Sequence, residues 1–350
     1  MNSKNESPLV SMVTPCYNGE NYVCRFLDSV LHQTYKNIEL IFINDGSTDG
    51  TEKIIFKYQD KFKNKGIKFE YIYQKNQGQT VAINAGLKKV KGKYFMWPDS
   101  DDVLHNTNVE KKVELLEKNL SAGIVMCKAN LVDEGTLKNM GILGRKTNKK
   151  KDNLFHDLIL NENVYYTPGG YMVRMSNFIN VNPEKVLYVG PRETGQNWQI
   201  LLPIAYKYNC VYIKECLLDY YYRFNSHSNE KRNNCQILEK INSDENVLIN
   251  TLNFIDMAED KKYYQNLVMN YYTRKRLLFS FDSDNKRLAK EQFIKLKKRD
   301  SIKFVDFLCY RATFSKNMAL VYYLYRLPKK IINANLKIIR LAITYVRRIL

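Results

Sequence analysis

Short apolar runs alternate with helix-patterned stretches across the first hundred residues, and this alternation restricts the fold more than any other feature. Residues 9–14, with Val10 and Val13, read as a buried strand ending at Pro15. Residues 20–33 place Val23, Phe26, Leu27, Val30 and Leu31 at helical spacing. A second apolar strand spans 38–43. It runs into Asn44-Asp45-Gly46-Ser47-Thr48-Asp49-Gly50, a dense set of turn and capping residues. A helix follows with Ile54, Ile55 and Tyr58 on one face, then a strand at 69–73. Next comes a helix from Thr80, its expected cap, to Val90, with Val81, Ile83, Ala85 and Leu87 toward the core. A fourth strand spans 94–97. Strand and helix in strict turn predict βαβ units and a mostly parallel sheet flanked by helices.

The middle of the chain is less regular. A helix is expected over 109–120, a strand over 123–127, a polar basic loop over 133–153, a helix over 198–206 with Pro203 inside it, and a strand over 211–213. From about 232 the pattern is helical throughout. The expected organisation is an α/β domain over 1–230, followed by a helical extension over 231–350.

Lys and Arg number 55 against 36 Asp and Glu, for a formal net charge of +19. That balance calls for an anionic partner: nucleic acid, a phosphate-bearing substrate or an acidic membrane surface. The lysines are dispersed and no nucleic-acid-binding signature is present, which argues against nucleic acid. Residues 301–350 hold ten Lys and Arg against a single acid, Asp306, interleaved with apolar residues such as Phe304, Leu308, Ile331 and Ile339. A basic amphipathic segment suits an anionic membrane surface. The seven cysteines are scattered without zinc-like spacing and read as free thiols of a reducing compartment. Residues 1–7 are polar, and no apolar run approaches the roughly 20 residues that span a bilayer. The expectation is a cytoplasmic protein, peripheral on the inner face of the cell membrane.

In open α/β sheets, ligands sit beyond the carboxyl ends of the strands. Three polar clusters fall there: residues 14–18, 44–48 and 99–102. Asp99, Asp101 and Asp102 crowd three carboxylates into four residues. Their repulsion is relieved by a hard divalent cation, Mg²⁺ or Mn²⁺, which takes oxygen ligands and bridges to substrate phosphates.

With these clusters in order, the chain resembles family-2 glycosyltransferases of the GT-A, Rossmann-like fold, of the kind that build bacterial polysaccharides. The resemblance rests on Val10-Ser11-Met12-Val13-Thr14-Pro15-Cys16-Tyr17-Asn18 and on Ser29-Val30-Leu31-His32-Gln33-Thr34-Tyr35. It continues through Asn44-Asp45-Gly46-Ser47-Thr48-Asp49-Gly50-Thr51 and Asn76-Gln77-Gly78 with Ala82-Ile83-Asn84-Ala85-Gly86, and closes on Pro98-Asp99-Ser100-Asp101-Asp102 at the D-x-D position. It implies transfer of a sugar, with inversion, from a UDP-sugar to a saccharide, lipid-linked in the family's usual setting of cell-surface polysaccharide synthesis, with residues 1–105 as the nucleotide-sugar-binding half and 106–230 as the acceptor half. Thr14, Pro15 and Tyr17 would line the base pocket and Asp45 would accept from the base. Asn76, Gly78, Asp99 and Ser100 complete the donor side, Asp101 and His227 ligate the metal, and Arg223 meets a phosphate.

The resemblance departs at the catalytic base. Where inverting members carry an acidic pair, this chain has Gly195-Gln196-Asn197-Trp198-Gln199, and an amide is no general base at neutral pH. Glu193 is the nominated base and Asp219 a distant alternative. Asp102, Gln196, Asn197 and Trp198 are expected to bind the acceptor. Two other readings stand beside the enzyme. A nucleotidyltransferase would want a Gly-rich phosphate loop with a basic residue, which residues 14–17 lack. A catalytically weak or inactive nucleotide-sugar binder is compatible with the missing acidic pair.

Overall fold

Four parallel strands form the first half of the sheet: β1 (Val10–Cys16), β2 (Ile38–Asp45), β3 (Lys68–Gln74) and β4 (Tyr94–Met96), side by side in the order β3-β2-β1-β4. The computed structural model describes residues 7–145, 153–165, 167–190, 195–223 and 232–326. The crossovers are α1 (Val23–Leu31), α2 (Thr51–Asn64) and α3 (Gln79–Leu87). Val10, Met12 and Val13 are all fully buried, so β1 is covered on both faces. That is why it reads as a continuous apolar run and not as an alternation.

α3 corrects one expectation. Its N-cap is Gly78, at φ +90°, and Thr80 lies inside the helix, fully buried, accepting from Gln196 Nε2 at 2.9 Å. The buried face is Thr80, Ala82, Ile83, Gly86 and Leu87; it keeps Ile83 and Leu87 of the expected set, while Val81 and Ala85 are only partly buried. Gly86 sets that face. A Cβ there would stand 2.3 Å from Val13 Cγ1 and 2.9 Å from Ile43 Cδ1, so only glycine lets the helix lie this close to β1 and β2.

Beyond β4 the chain forms β5 (Val103–Leu104), α4 (Asn108–Lys118), β6 (Ala122–Asp133), β7 (Asn139–Leu143), α5 (Leu154–Leu160), β8 (Tyr171–Arg174), α6 (Met175–Val181), α7 (Gln196–Lys207) and β9 (Asn209–Tyr222). Among the described residues one sheet results, ordered β3-β2-β1-β4-β8-β6-β9-β5, with β7 paired to β6. β8 runs antiparallel to both β4 and β6, whereas β6 and β9 are parallel. β9 is far longer than the expected three residues. Register shifts around Lys128 let it follow β6 past the polar Lys214-Glu215 stretch, and these irregularities break the sequence period. Part of the expected loop at 133–153 is instead β7.

Two compact units are present. The first contains the described residues up to 223 together with Asn246–Met257. The second contains Arg232–Glu245 and the described residues from Ala258 on. The helices that follow are α8 (Asn234–Phe254), α9 (Asp260–Asp282), α10 (Lys286–Lys298), α11 (Phe304–Ala312) and α12 (Lys316–Arg326). The second unit has its own core, in which Leu277, Ala289, Leu296, Leu308, Cys309, Ala312 and Tyr322 are buried. Residues 304–326 of the basic tail are therefore built into this unit, with Asp306 buried against Arg274 Nε at 2.9 Å. Residues 327–350 lie outside the described residues. No helix among the described residues is long and apolar enough to cross a membrane.

Candidate active site

Because β2, β1 and β4 are adjacent and parallel, the segments leaving their carboxyl ends converge. The first two are tied by hydrogen bonds. Asn18, at φ +50°, donates its N–H to Ser47 Oγ at 2.9 Å and accepts from Thr48 N at 2.8 Å. Gly19 N donates to Thr51 Oγ1 at 2.8 Å. Asn44 Oδ1 accepts from Ser47 N at 2.9 Å and turns the chain out of β2. Gly46 takes φ +73°, and a Cβ there would stand 2.5 Å from Asn76 N, so glycine serves both the turn and the approach of the 74–78 segment.

Asp45 holds that segment in place. Its Oδ1 accepts from Gln74 Nε2 at 2.6 Å and Gln77 N at 3.1 Å, and its Oδ2 accepts from Gly78 N at 2.8 Å. A carboxylate has about four acceptor positions, so one remains on Oδ2 for a ligand. Tyr17, the residue after β1, is 47% exposed. Thr14 is fully buried, and its Oγ1 has no hydrogen-bond partner. Pro15 lies beside Ile43 within the β1–β2 ladder, so its ring is a wall of the sheet end and not a mobile contact. Asn76 is exposed, and Ser100 is buried beside the Cys16 thiol. Burial pushes that thiol up to about 12, so Cys16 is an inert thiol.

At the end of β4 the chain presents Asp99, Asp101 and Asp102, whose carboxylate oxygens all lie within 4.8 Å of one another. Gln79 Nε2 donates to Asp99 Oδ1 at 3.2 Å, and Tyr221 N to Asp102 Oδ1 at 3.2 Å. Burial, and then the charge of Asp101, push the Asp99 and Asp102 carboxyls well above the usual carboxylate range. Asp102 is 1% exposed, and its Oδ2 is buried with no partner. Three hard oxygen donors, two of them destabilised as anions and one with an orphaned oxygen, suit a divalent cation such as Mg²⁺ or Mn²⁺. The expectation set Asp102 apart as an acceptor contact; the structure places it inside this carboxylate cluster.

Two arginines border the cluster. Arg223, directly after β9, pairs through Nη2 with Asp101 Oδ2 and lies 4.2 Å from the Tyr22 ring centroid. Arg25, on α1, donates through Nε to Asp101 O at 2.8 Å, grips Glu134 in a bidentate pair at 2.6 and 2.7 Å, and stacks 3.8 Å from the Tyr221 ring. Sequence reasoning missed Arg25, Gln79 and Gln74. Helical periodicity marks Arg25 only as a polar position on α1, and nothing local says that it meets residue 101.

The N-terminus of α7 comes to the same end of the sheet. Trp97 Nε1 donates to Tyr171 Oη, which donates to Asn197 Oδ1 at 2.8 Å. Gln196 spends its amide on Thr80. Trp198 is only 6% exposed, packed over Gly195 beside Val247, with its indole Nε1 unpartnered. The expected sugar-stacking role for Trp198 is not available to a ring buried in this way. Glu193 and His227 lie outside the described residues. Asp219 is tied up elsewhere, accepting from His105 Nε2 at 2.9 Å and Asn130 Nδ2 at 2.7 Å. Burial raises its carboxyl, but these two hydrogen bonds outweigh it and hold the group below its ordinary range, which makes it a poor base.

This topology, with an acidic cluster beyond β4, defines a GT-A-type α/β protein. Residues 11–180 match the sequence profile of Glycosyl transferase family 2. Over these residues the chain is similar to that family. An uncharacterized glycosyltransferase of Rickettsia prowazekii is 45% identical over 129 residues, which is 37% of this chain and 38% of that protein. Glycosyltransferase GlyA of Streptococcus pneumoniae is 38% identical over 117 residues, 33% of this chain and 16% of that protein. The chain thus spans well under half the length of these relatives. In fold it is similar to residues 1–349 of S. aureus TarS, solved in complex with UDP-GlcNAc. The TM-score is 0.55 at 16% identity, over 86% of this chain and 81% of that one.

Proposed function

We propose that this protein transfers a sugar from a UDP-sugar to a saccharide acceptor, with inversion at the anomeric carbon. One observation carries the reading. The end of the parallel sheet brings together an exposed aromatic (Tyr17), a carboxylate with one open acceptor position (Asp45) and three clustered aspartates with an orphaned oxygen. Those are the parts a nucleoside diphosphate needs: a face for the base, an acceptor for an imide N–H and a cation holder for the diphosphate. The complex of the similarly folded TarS fragment with UDP-GlcNAc supports a UDP-sugar in particular.

Asp99, Asp101 and Asp102 would hold a Mg²⁺ or Mn²⁺ ion. When bound, that ion supplies positive charge to the leaving diphosphate. The chain's own groups do the positioning. Gln79 and the Tyr221 N–H aim Asp99 and Asp102, and Arg25 fixes the backbone of Asp101. Asp45 fixes the Gln77–Gly78 turn against the sheet end. Tyr17 stacks on the base, with Thr14 and Pro15 behind it. Glu193, just before α7, takes the proton from the acceptor hydroxyl as that oxygen attacks, and Asn197 contacts the acceptor. His227 completes the donor side. A lipid-linked saccharide is the acceptor class that suits the basic tail.

The deciding experiment is a screen of UDP-sugars for binding and UDP release, with and without Mn²⁺ and with oligosaccharide acceptors. Metal-dependent UDP release that rises with an acceptor is the expected result. Tight UDP-sugar binding with no acceptor-stimulated release would favour the inactive-binder reading. Turnover unchanged in Glu193→Gln would remove Glu193 as the base.

A further inference from the structure

The acidic cluster already has a cation in it, supplied by the chain. Asp101, the central carboxylate of the three, is paired with the Arg223 guanidinium, and that guanidinium is sandwiched against Tyr22. Among the described residues, Gln79 Nε2 and the Tyr221 N–H, both neutral, donate to the Asp99 and Asp102 carboxylates. Arg25, the other nearby cation, is committed to Glu134 by two short bonds and touches the cluster only through the Asp101 carbonyl. Among the described residues, Arg223 is therefore the one cation paired with a carboxylate of the cluster.

We infer that Arg223 is an exchangeable counter-ion: it neutralises Asp101 while the cluster is without a divalent ion, and it must leave Asp101 when one enters. This rests on the metal-binding reading of the cluster and adds regulation to it. The chemistry follows from competition for one carboxylate. Three carboxylates within 4.8 Å repel one another, and a guanidinium on one of them lowers that cost. A divalent ion lowers it further but competes with the guanidinium for the same Asp101 carboxylate, so Arg223 opposes metal binding in the absence of nucleotide. Once displaced, the guanidinium is a planar double donor standing beside the metal-binding cluster, suited to a diphosphate oxygen. Metal entry then frees a phosphate-binding group, and diphosphate binding draws that group off the metal ligand. The two ligands strengthen each other through one side chain, and by linkage the effect is reciprocal. Arg223 is a positioning and coupling residue in this account, not a catalytic one.

The test is Mn²⁺ binding to the full chain, followed by electron paramagnetic resonance and calorimetry with and without UDP. The variants are Arg223→Gln, Arg223→Lys and, as a control for net charge, Lys89→Gln, whose ammonium pairs with Glu70 on the surface. For Mn²⁺ alone, Arg223→Gln should bind about tenfold tighter than wild type, within the range of coupled sites. Lys89→Gln should not change, and Arg223→Lys, which keeps the charge, should stay near wild type. The enhancement of Mn²⁺ affinity by UDP should shrink in Arg223→Gln. Equal or weaker Mn²⁺ binding by Arg223→Gln in a protein whose circular dichroism is unchanged would overturn the inference, as would an equal gain in Lys89→Gln. If Arg223→Gln is misfolded, wild-type strength in Arg223→Lys together with UDP-enhanced Mn²⁺ binding supports exchange, and a tenfold gain in Arg223→Lys overturns it. Absence of Mn²⁺ binding in every form, with or without UDP, would instead remove the metal-binding reading beneath it.

Discussion

At the scale of single residues, the site is held by side chains whose roles follow from what they leave unpaired. Asp45 neutralises the donors of Gln77, Gly78 and Gln74 at once. Asp45→Ala would leave three part-buried N–H donors without their acceptor, and hydrogen bonds to a charged group are worth about 1.5–3 kcal/mol each. The expected result is a protein destabilised by roughly 2–4 kcal/mol in urea titration, with UDP binding lost. Unchanged stability would mean that the turn at 74–78 is held by something else. Gly86 is a second case. Gly86→Ala would force Val13 and Ile43 apart, and overpacking of this kind costs about 1–3 kcal/mol. A drop in the denaturation midpoint checks it, and an unchanged midpoint would show that α3 shifts without penalty. Both residues were legible as motif members. Their physical duties were not, because each depends on atoms 29 or more positions away in the chain.

At the scale of elements, the pairing of β5 with β9 shows how the fold ties the acidic cluster to the second half of the sheet. His105, just after β5, pairs with Asp219 on β9. The hydrogen bond it donates to Asp219 raises the His105 imidazole above its ordinary range, burial notwithstanding, and the same bond holds Asp219 below its own. The signs then fix the pH window. The His105 contribution is complete below the unfolded value of about 6.5 and is lost as pH rises through the raised folded value. The Asp219 contribution is complete above about 3.9 and is lost as pH falls through the depressed value. His105→Gln should therefore lower the melting temperature most near pH 5, and the difference should narrow above pH 7. A difference that is constant across pH 5–8 would rule out an ionised pair. At this scale the N-terminal βαβ pattern was readable because β1, β2 and β4 are buried on both faces, and β3 at the sheet edge still carries a short aromatic and apolar run. β7 and the full length of β9 were not readable. The apolar period of β9 is interrupted by Lys214 and Glu215, and the register shifts that accommodate them fall around Lys128 of the partner strand β6; β7 is a short, mostly exposed strand.

At the scale of the whole molecule, the +19 charge needs an outlet that the donor site alone does not explain. The tail was expected to be one amphipathic segment over 301–350. Its first part is instead core, since Leu308, Cys309, Ala312 and Tyr322 are buried in the second unit. Deleting 301–350 would remove part of that core and so would test folding rather than binding. Neutralising Lys329, Lys330, Arg340, Arg347 and Arg348 to Gln is the cleaner experiment. If the tail is a membrane contact, this variant should lose most of its binding to anionic phosphatidylglycerol vesicles, and wild-type binding should fall with added salt. Equal binding by both forms would place the contact elsewhere or dismiss it.

By itself the sequence determined the parallel half of the sheet, its order of elements and the three clusters at its carboxyl end. Hydrophobic period, turn chemistry and strand-end placement are local properties, and they are written in neighbouring residues. The tertiary structure decided which distant residues meet. It buried Trp198, committed Asp219 to His105, and set Arg223 on Asp101. Arg223 and Asp101 are 122 positions apart. An ion pair at that separation depends on how β9 is registered beside β6 and β5, and this register is fixed only when the whole sheet closes.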